Sequence, residues 1–169
     1  TTLTIPLQIP ASVCAEAAGT RTATDERFMD NFWEHNYSQI IYPASFATGI
    51  DSLFGIALRV SQFSQPFADT ANYNYDIFIG QTDSATLSAP LTSDSLTQVA
   101  FNKRFTIRSA GWIEIPFDSV YPLNPTGNLI VTLVERTSNA YDGRHYGVHA
   151  DATCTHFVQD EDHLDGYPN

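Results

Sequence analysis

The side chains best suited to binding a metal ion are concentrated in the acidic tail of the chain. Asp160, Asp162 and Asp165 lie within six positions, and carboxylate oxygens are the ligands that calcium prefers. No twelve-residue EF-hand pattern accompanies them, so a solvated or partner-facing tail is the alternative. Calcium is the one cofactor that the sequence suggests, and both interpretations of the tail stay open.

Catalytic motifs are the second kind of chemistry to look for, and the sequence shows no familiar one. It contains neither the Gly-x-Ser-x-Gly motif of serine hydrolases nor the His-Glu-x-x-His motif of zinc proteases. His145 and His149 share a face of a predicted strand, but four residues of extended chain separate them by about 13 Å, too far to bind one ion. We therefore predict a protein that is not an enzyme.

The two cysteines, Cys14 and Cys154, lie near opposite ends of the chain. Their spacing fits neither a Cys-x-x-Cys redox pair nor a zinc cluster. A disulfide between them would close a long loop and stabilise the fold by about 5 kcal/mol in the chain-entropy model. We predict this disulfide, and with it an oxidising, extracellular setting; two buried thiols are the alternative.

Aromatic side chains make up 12% of the chain, enough to supply a surface on which sugars stack. Tyr73 and Tyr141 lie in turn-rich segments, where exposure is expected. These two residues are the predicted ligand contacts of a carbohydrate-binding module.

The elements that must position these residues are strands, because the dominant hydrophobic period is two. In the segment 54–60, Phe54, Ile56, Leu58 and Val60 alternate with smaller or polar residues. The segment 129–134 is apolar on both faces, as in a central strand covered on both sides. About nine such strands separated by turn residues predict an all-β fold, an antiparallel jelly-roll β-sandwich. The other predicted strands include the segments 37–42, 96–101 and 103–108.

One segment departs from this period. Phe28, Met29, Phe32 and Trp33 follow a helical spacing behind Thr24, a residue type that caps helices. We predict a short helix near residues 24–34, closing one end of the sandwich.

The first ten residues alternate cleanly, with Leu3, Ile5, Leu7 and Ile9 on one face. Two prolines in this segment lack amide donors, which suits an edge strand. Residues 1–12 are therefore either the edge strand of their own domain or a strand donated to a neighbouring copy. Residues 13–169 form the single jelly-roll domain.

Composition sets the broad class. The chain has 169 residues with 8 basic and 19 acidic side chains, a net charge of −11. This excess of acid would repel phosphate backbones, so we predict no nucleic-acid binding. No apolar run reaches the roughly 18 residues of a membrane span.

A start at Thr1 fits removal of a signal peptide and secretion, although a chosen expression boundary would look the same.

The middle of the chain resembles a known family over roughly residues 37–148. Six segments carry the resemblance, in order: Ser38–Ser45 (SQIIYPAS), Ile50–Val60, Tyr75–Thr82 (YDIFIGQT), Leu96–Phe101, Ser109–Phe117 (SAGWIEIPF) and Gly127–Val131 (GNLIV). In this order they are similar to the jelly-roll surface modules of Bacteroidetes that are related to the cleaved-adhesin domains of gingipains. The turn Tyr121–Gly127 departs from that pattern, and the two ends of the chain have no counterpart in it.

The resemblance implies an extracellular, non-catalytic β-sandwich used for adhesion or for building surface structures, often with bound calcium. It also places Trp112 at the start of an inner strand, in the core. Together with the N-terminal strand, it predicts a structural or adhesive subunit of a cell-surface assembly. In this hypothesis, copies of the chain polymerise into a fibre through Leu3, Ile5, Leu7 and Ile9. A carbohydrate-binding or adhesin module that contacts glycans or a host surface is one alternative, and a virion decoration protein is another.

Overall fold

The computed structural model of the protein describes residues 24–30, 37–62, 73–86, 91–105, 109–136, 145–149 and 155–156. These residues form nine strands: β1 Thr24–Asp30, β2 Tyr37–Tyr42, β3 Ser52–Gln62, β4 Tyr73–Thr82, β5 Thr97–Phe105, β6 Gly111–Pro122, β7 Asn128–Glu135, β8 His145–His149 and β9 Thr155–His156. Two short 3-10 turns, Ala44–Ala47 and Ser93–Ser95, lie in the connections β2–β3 and β4–β5.

The strands form two antiparallel sheets. One has four strands in the order β1-β8-β3-β6, and the other has five in the order β5-β4-β7-β2-β9. The first eight strands pair from the outside of the sequence inward: β1 with β8, β2 with β7, β3 with β6 and β4 with β5. This nested pairing, shared between two sheets, is the jelly roll. The predicted fold class is therefore confirmed.

The core lies between the two sheets. One cluster of buried side chains draws members from both of them: Ile40, Leu58, Tyr75, Ile77, Ile79, Val99, Ala100, Ile115, Val131 and Leu133. Leu58 and Ile115 come from the four-stranded sheet, and the other eight come from the five-stranded sheet. Alternation along β4 and β7 thus points one apolar row of each strand into the sandwich, as the period of two requires.

The outer face of the five-stranded sheet is also covered. Every residue from Ile130 to Glu135 on β7 is buried, which confirms the prediction that this segment is covered on both faces. Part of the cover is the β4–β5 connection, which the buried side chain of Gln39 holds in place. Its Nε2 donates to the carbonyl oxygen of Leu91 at 3.0 Å, and the amide of Leu91 donates to its Oε1 at 2.9 Å.

The predicted helix is wrong over the residues that the structure describes. Residues 24–30 form strand β1, which pairs with β8 from Thr24 opposite His149 to Asp30 opposite His145. Adjacent apolar residues such as Phe28 and Met29 fit either period, and pairing with β8 decides between them. The register of this pair shifts between Asp25 and Met29. Residues 31–34 lie outside the described part of the chain.

Candidate binding surfaces

Most of the predicted site residues lie outside the described residues. This holds for the assembly residues, the two cysteines, the acidic tail and one of the two tyrosines: Leu3, Ile5, Leu7, Ile9, Cys14, Cys154, Asp160, Asp162, Asp165 and Tyr141. Tyr73 is the first residue of β4, opposite Phe105 of β5. Within the described residues, no group of three or more His, Cys, Asp or Glu side chains could hold a metal ion. The calcium and disulfide assignments remain predictions.

The outer face of the four-stranded sheet presents Trp112. On β6, the side chains of Ile113 and Ile115 pack into the core, so Trp112 and Glu114 point to the opposite face. Trp112 is 54% exposed, whereas the family resemblance placed it in the core. The core position expected for Trp112 is therefore wrong. Neighbouring residues of a strand face opposite sides of the sheet, so Trp112 faces outward where Ile113 faces inward.

Two side chains of opposite charge flank Trp112. Arg59 of β3 lies directly opposite Trp112, and Glu114 lies two residues further along β6, opposite Ala57. Directly opposed residues have Cβ atoms about 5 Å apart, and diagonal neighbours about 7–8 Å. Both charged side chains are exposed, and neither forms a hydrogen bond or ion pair within the described part of the chain. We call Trp112, Arg59 and Glu114 the tryptophan platform.

The backbone before the platform is fixed by a glycine. Gly111 begins β6 with φ at +146°, a conformation that side chains disfavour. It follows a bend at Ser109–Ala110 and pairs with Val60 at the end of the β3–β6 ladder. Trp112 is therefore the first outward-facing position of β6.

A second surface lies where the edge strands β5 and β6 meet. Three of its side chains are more than half exposed, namely Phe54 at 61%, Phe101 at 68% and Val120 at 53%. Phe54 of β3 lies opposite the irregular part of β6 that contains Val120, since the register passes from Leu53–Tyr121 to Gly55–Pro116. We call Phe54, Phe101 and Val120 the edge patch.

A bulge in β5 holds Phe101 on the surface. The register with β4 shifts between Tyr75 and Ile77, so that one β4 residue faces Phe101 and Asn102. Asn102 has φ at +47°, a left-handed conformation that Asn tolerates better than most residues. Its amide donates to Oδ1 of buried Asp76 at 2.7 Å, and Arg136 Nε donates to Oδ2 of the same carboxylate at 2.9 Å. The buried carboxylate thus stabilises the bulge.

Asp118 joins the two edge strands. Its Oδ2 accepts a hydrogen bond from the amide of Phe101 at 2.8 Å, and its Oδ1 accepts one from the ammonium of Lys103. These donors favour the ionised form, so the pKa of Asp118 lies below its ordinary value, with the Lys103 hydrogen bond as the largest cause. A salt bridge between Lys103 and Asp118 therefore lies beside the edge patch.

A close backbone approach accompanies the irregular register. A Cβ added at Gly55 would lie 2.8 Å from the carbonyl oxygen of Ile115 and 3.2 Å from Cα of Pro116. Only glycine allows β3 and β6 to come this close. The irregularity reverses the alternation next to Gly55, so Phe54 is exposed instead of sharing a face with Ile56 and Leu58 as predicted.

Comparisons with known proteins give no family for this chain. No protein-family model, curated protein or solved structure matches it. Among the described residues, no helix is long and apolar enough to cross a membrane.

Proposed function

We propose that this protein is a non-catalytic structural or adhesive subunit of an extracellular cell-surface assembly, in which copies of the chain join into a fibre. The observation that supports association between copies is the edge patch. Phe54, Phe101 and Val120 are each more than half exposed around one edge of the sandwich. Large apolar side chains gathered in this way mark protein interfaces more than free surface.

The shape of this edge limits how copies could join there. A strand added to a sheet needs a regular row of backbone donors and acceptors. Both β5 and β6 are interrupted by irregular pairing, and Lys103 and Asp118 lie at the same edge. Bulges and charged side chains of this kind protect edges from strand addition. The edge patch is therefore suited to side-chain contacts between copies rather than to strand exchange.

Strand exchange, in this proposal, takes place at the opposite side of the sandwich. There the outer strands of the two sheets are β1 and β9, as far as the structure describes them. The described part of β9 has two residues and pairs only with Gln39 and Ile40 of β2. The donated segment is Thr1–Pro10, whose alternating Leu3, Ile5, Leu7 and Ile9 would enter pockets between the sheets of a neighbouring copy. A contact of this head-to-tail kind repeats without closing and produces a filament.

The test compares substitutions on the two faces of the N-terminal segment. The double variant I5D/L7D places charges on the apolar face, and T2D/T4D places the same charges on the opposite face. We expect the first to abolish fibres seen by negative-stain electron microscopy and to sediment as a monomer at low salt, where like charge keeps copies apart. The second should assemble as the native chain does. Fibres that persist in I5D/L7D, or after deletion of residues 1–10, would overturn the role of this segment.

A further inference from the structure

The tryptophan platform differs from the edge patch in its composition, because it contains charged side chains as well as an aromatic one. It combines one large aromatic side chain with a group that only donates hydrogen bonds and a group that only accepts them. Trp112 is flanked by Arg59 and Glu114, while Ala57 and Gly55 continue the same outer face of β3 as small residues. Ala57, the diagonal neighbour of Trp112 on β3, therefore leaves the face low on that side of the indole, where a flat ligand could approach it.

We propose that this platform binds neutral hexopyranose sugars. A pyranose ring has an apolar C–H face that stacks on an aromatic side chain, and its hydroxyl groups both donate and accept hydrogen bonds. Arg59 supplies the donors and Glu114 supplies the acceptors at the rim. The register places both within reach of one sugar ring centred on Trp112. Cβ of Arg59, directly opposite, lies about 5 Å away, and Cβ of Glu114, two residues along the same strand, lies about 7 Å away. Neither side chain has to give up an existing partner in the described part of the chain.

The charge of the protein selects neutral over acidic sugars. A net charge of −11 repels sugars that carry carboxylate or sulfate groups. Glu114 adds the same repulsion at the platform itself, where Arg59 can offset only one negative charge. Neutral hexoses avoid both penalties and still use every hydrogen-bonding group of the platform.

Arg59 and Trp112 also have a purely structural interpretation as a cross-strand pair, in which the guanidinium stacks on the indole. The two interpretations predict different responses to added sugar. A structural pair would stabilise the β3–β6 ladder without responding to a sugar. A binding platform would transfer magnetisation to a bound sugar and lose that transfer when the ring is removed.

The experiment uses the full chain and saturation-transfer difference NMR with cellobiose, maltose and lactose at millimolar concentration, with glucuronic acid as the charged comparison. We expect transfer to the ring protons of at least one neutral disaccharide, with a dissociation constant on the order of 1 mM, and weaker transfer to glucuronic acid. W112A should weaken binding about tenfold, and E114Q should weaken it less. W112F should retain part of the affinity.

The matched control is F54A, which removes an exposed aromatic ring of the same sheet at the edge patch and should leave sugar binding unchanged. Each variant is first checked for a native near-ultraviolet circular-dichroism spectrum. Absence of transfer with every neutral sugar, or equal transfer in W112A and the native chain, would overturn the proposal. The result is separable from the assembly proposal, because neither residues 1–10 nor the edge patch takes part in the platform.

Discussion

At the scale of single residues, Asp76 links three parts of the fold. It lies on β4, is 1% exposed, and accepts hydrogen bonds from Asn102 on β5 and from Arg136 just after β7. We expect D76A to lower the free energy of unfolding by about 2–4 kcal/mol, because a backbone amide and a guanidinium lose a buried acceptor to which both form partly buried hydrogen bonds. Urea unfolding followed by circular dichroism measures the change.

Asp118 provides the matched control for Asp76. It also accepts one backbone and one cationic hydrogen bond, but it is exposed. Water and salt screen an exposed pair, so D118N should change stability much less than D76A. Equal decreases in the free energy of unfolding of the two variants would show that burial does not determine the strength of these hydrogen bonds.

The lowered pKa of Asp118 gives a pH dependence with a definite sign. The folded state favours its ionised form, so the contribution to stability is present above the ordinary value of 3.8 and is lost as the pH falls below it. The stability difference between the native chain and D118N should therefore shrink on acidification below about pH 4. Urea titrations at a series of pH values measure it, and added salt should reduce the difference at every pH. A difference that grows toward low pH would contradict this assignment.

At the scale of elements, Gly55 sets the spacing between β3 and β6. In G55A the new methyl group meets backbone atoms of Ile115 and Pro116, which cannot move without separating the strands. We expect G55A to lower the free energy of unfolding by about 1–3 kcal/mol and to lower the melting temperature. G80A is the control, since its closest contact, at 2.6 Å, is the end of the flexible Leu96 side chain. A larger loss in G80A than in G55A would contradict the role given to this backbone approach.

The alternation of apolar residues predicted those elements that pair regularly. It indicated the strand at 37–42 and the fully covered strand at 129–134, and both appear with nearly the expected bounds. On β6 the same alternation turns Ile113 and Ile115 inward and leaves Trp112 on the outer face. The family resemblance pointed the other way, so for this residue the local pattern is the better guide.

Irregular pairing is what the alternation could not predict. The segments 96–101 and 103–108 looked like separate strands, whereas β5 continues through Thr97–Phe105 with a bulge at Phe101 and Asn102. The bulge depends on Asp76, which is 26 positions away from Asn102 in sequence. Phe54 is exposed for a similar reason, because the β3–β6 register shifts beside Gly55. Such features arise from contacts between distant segments. No pattern among neighbouring residues of the sequence therefore indicated the edge patch.

At the scale of the whole molecule, the proposed association between copies of the chain would depend on two opposing effects. The edge patch favours association by removing apolar surface from water. The net charge of −11 opposes it, because like-charged copies repel one another. Salt screens this repulsion over about 10 Å at 0.1 M but leaves apolar contacts intact. Self-association of the native chain should therefore increase with salt.

The triple variant F54S/F101S/V120S tests which surface responds. All three side chains are exposed, so the substitutions should leave the melting temperature nearly unchanged while they remove the salt-dependent association seen by sedimentation velocity. W112S is the matched control, because it removes an exposed aromatic ring from the tryptophan platform. It should associate with salt as the native chain does. If the triple variant associates like the native chain, or if W112S abolishes association, contacts between copies do not use the edge patch and the tryptophan platform becomes the surface to examine.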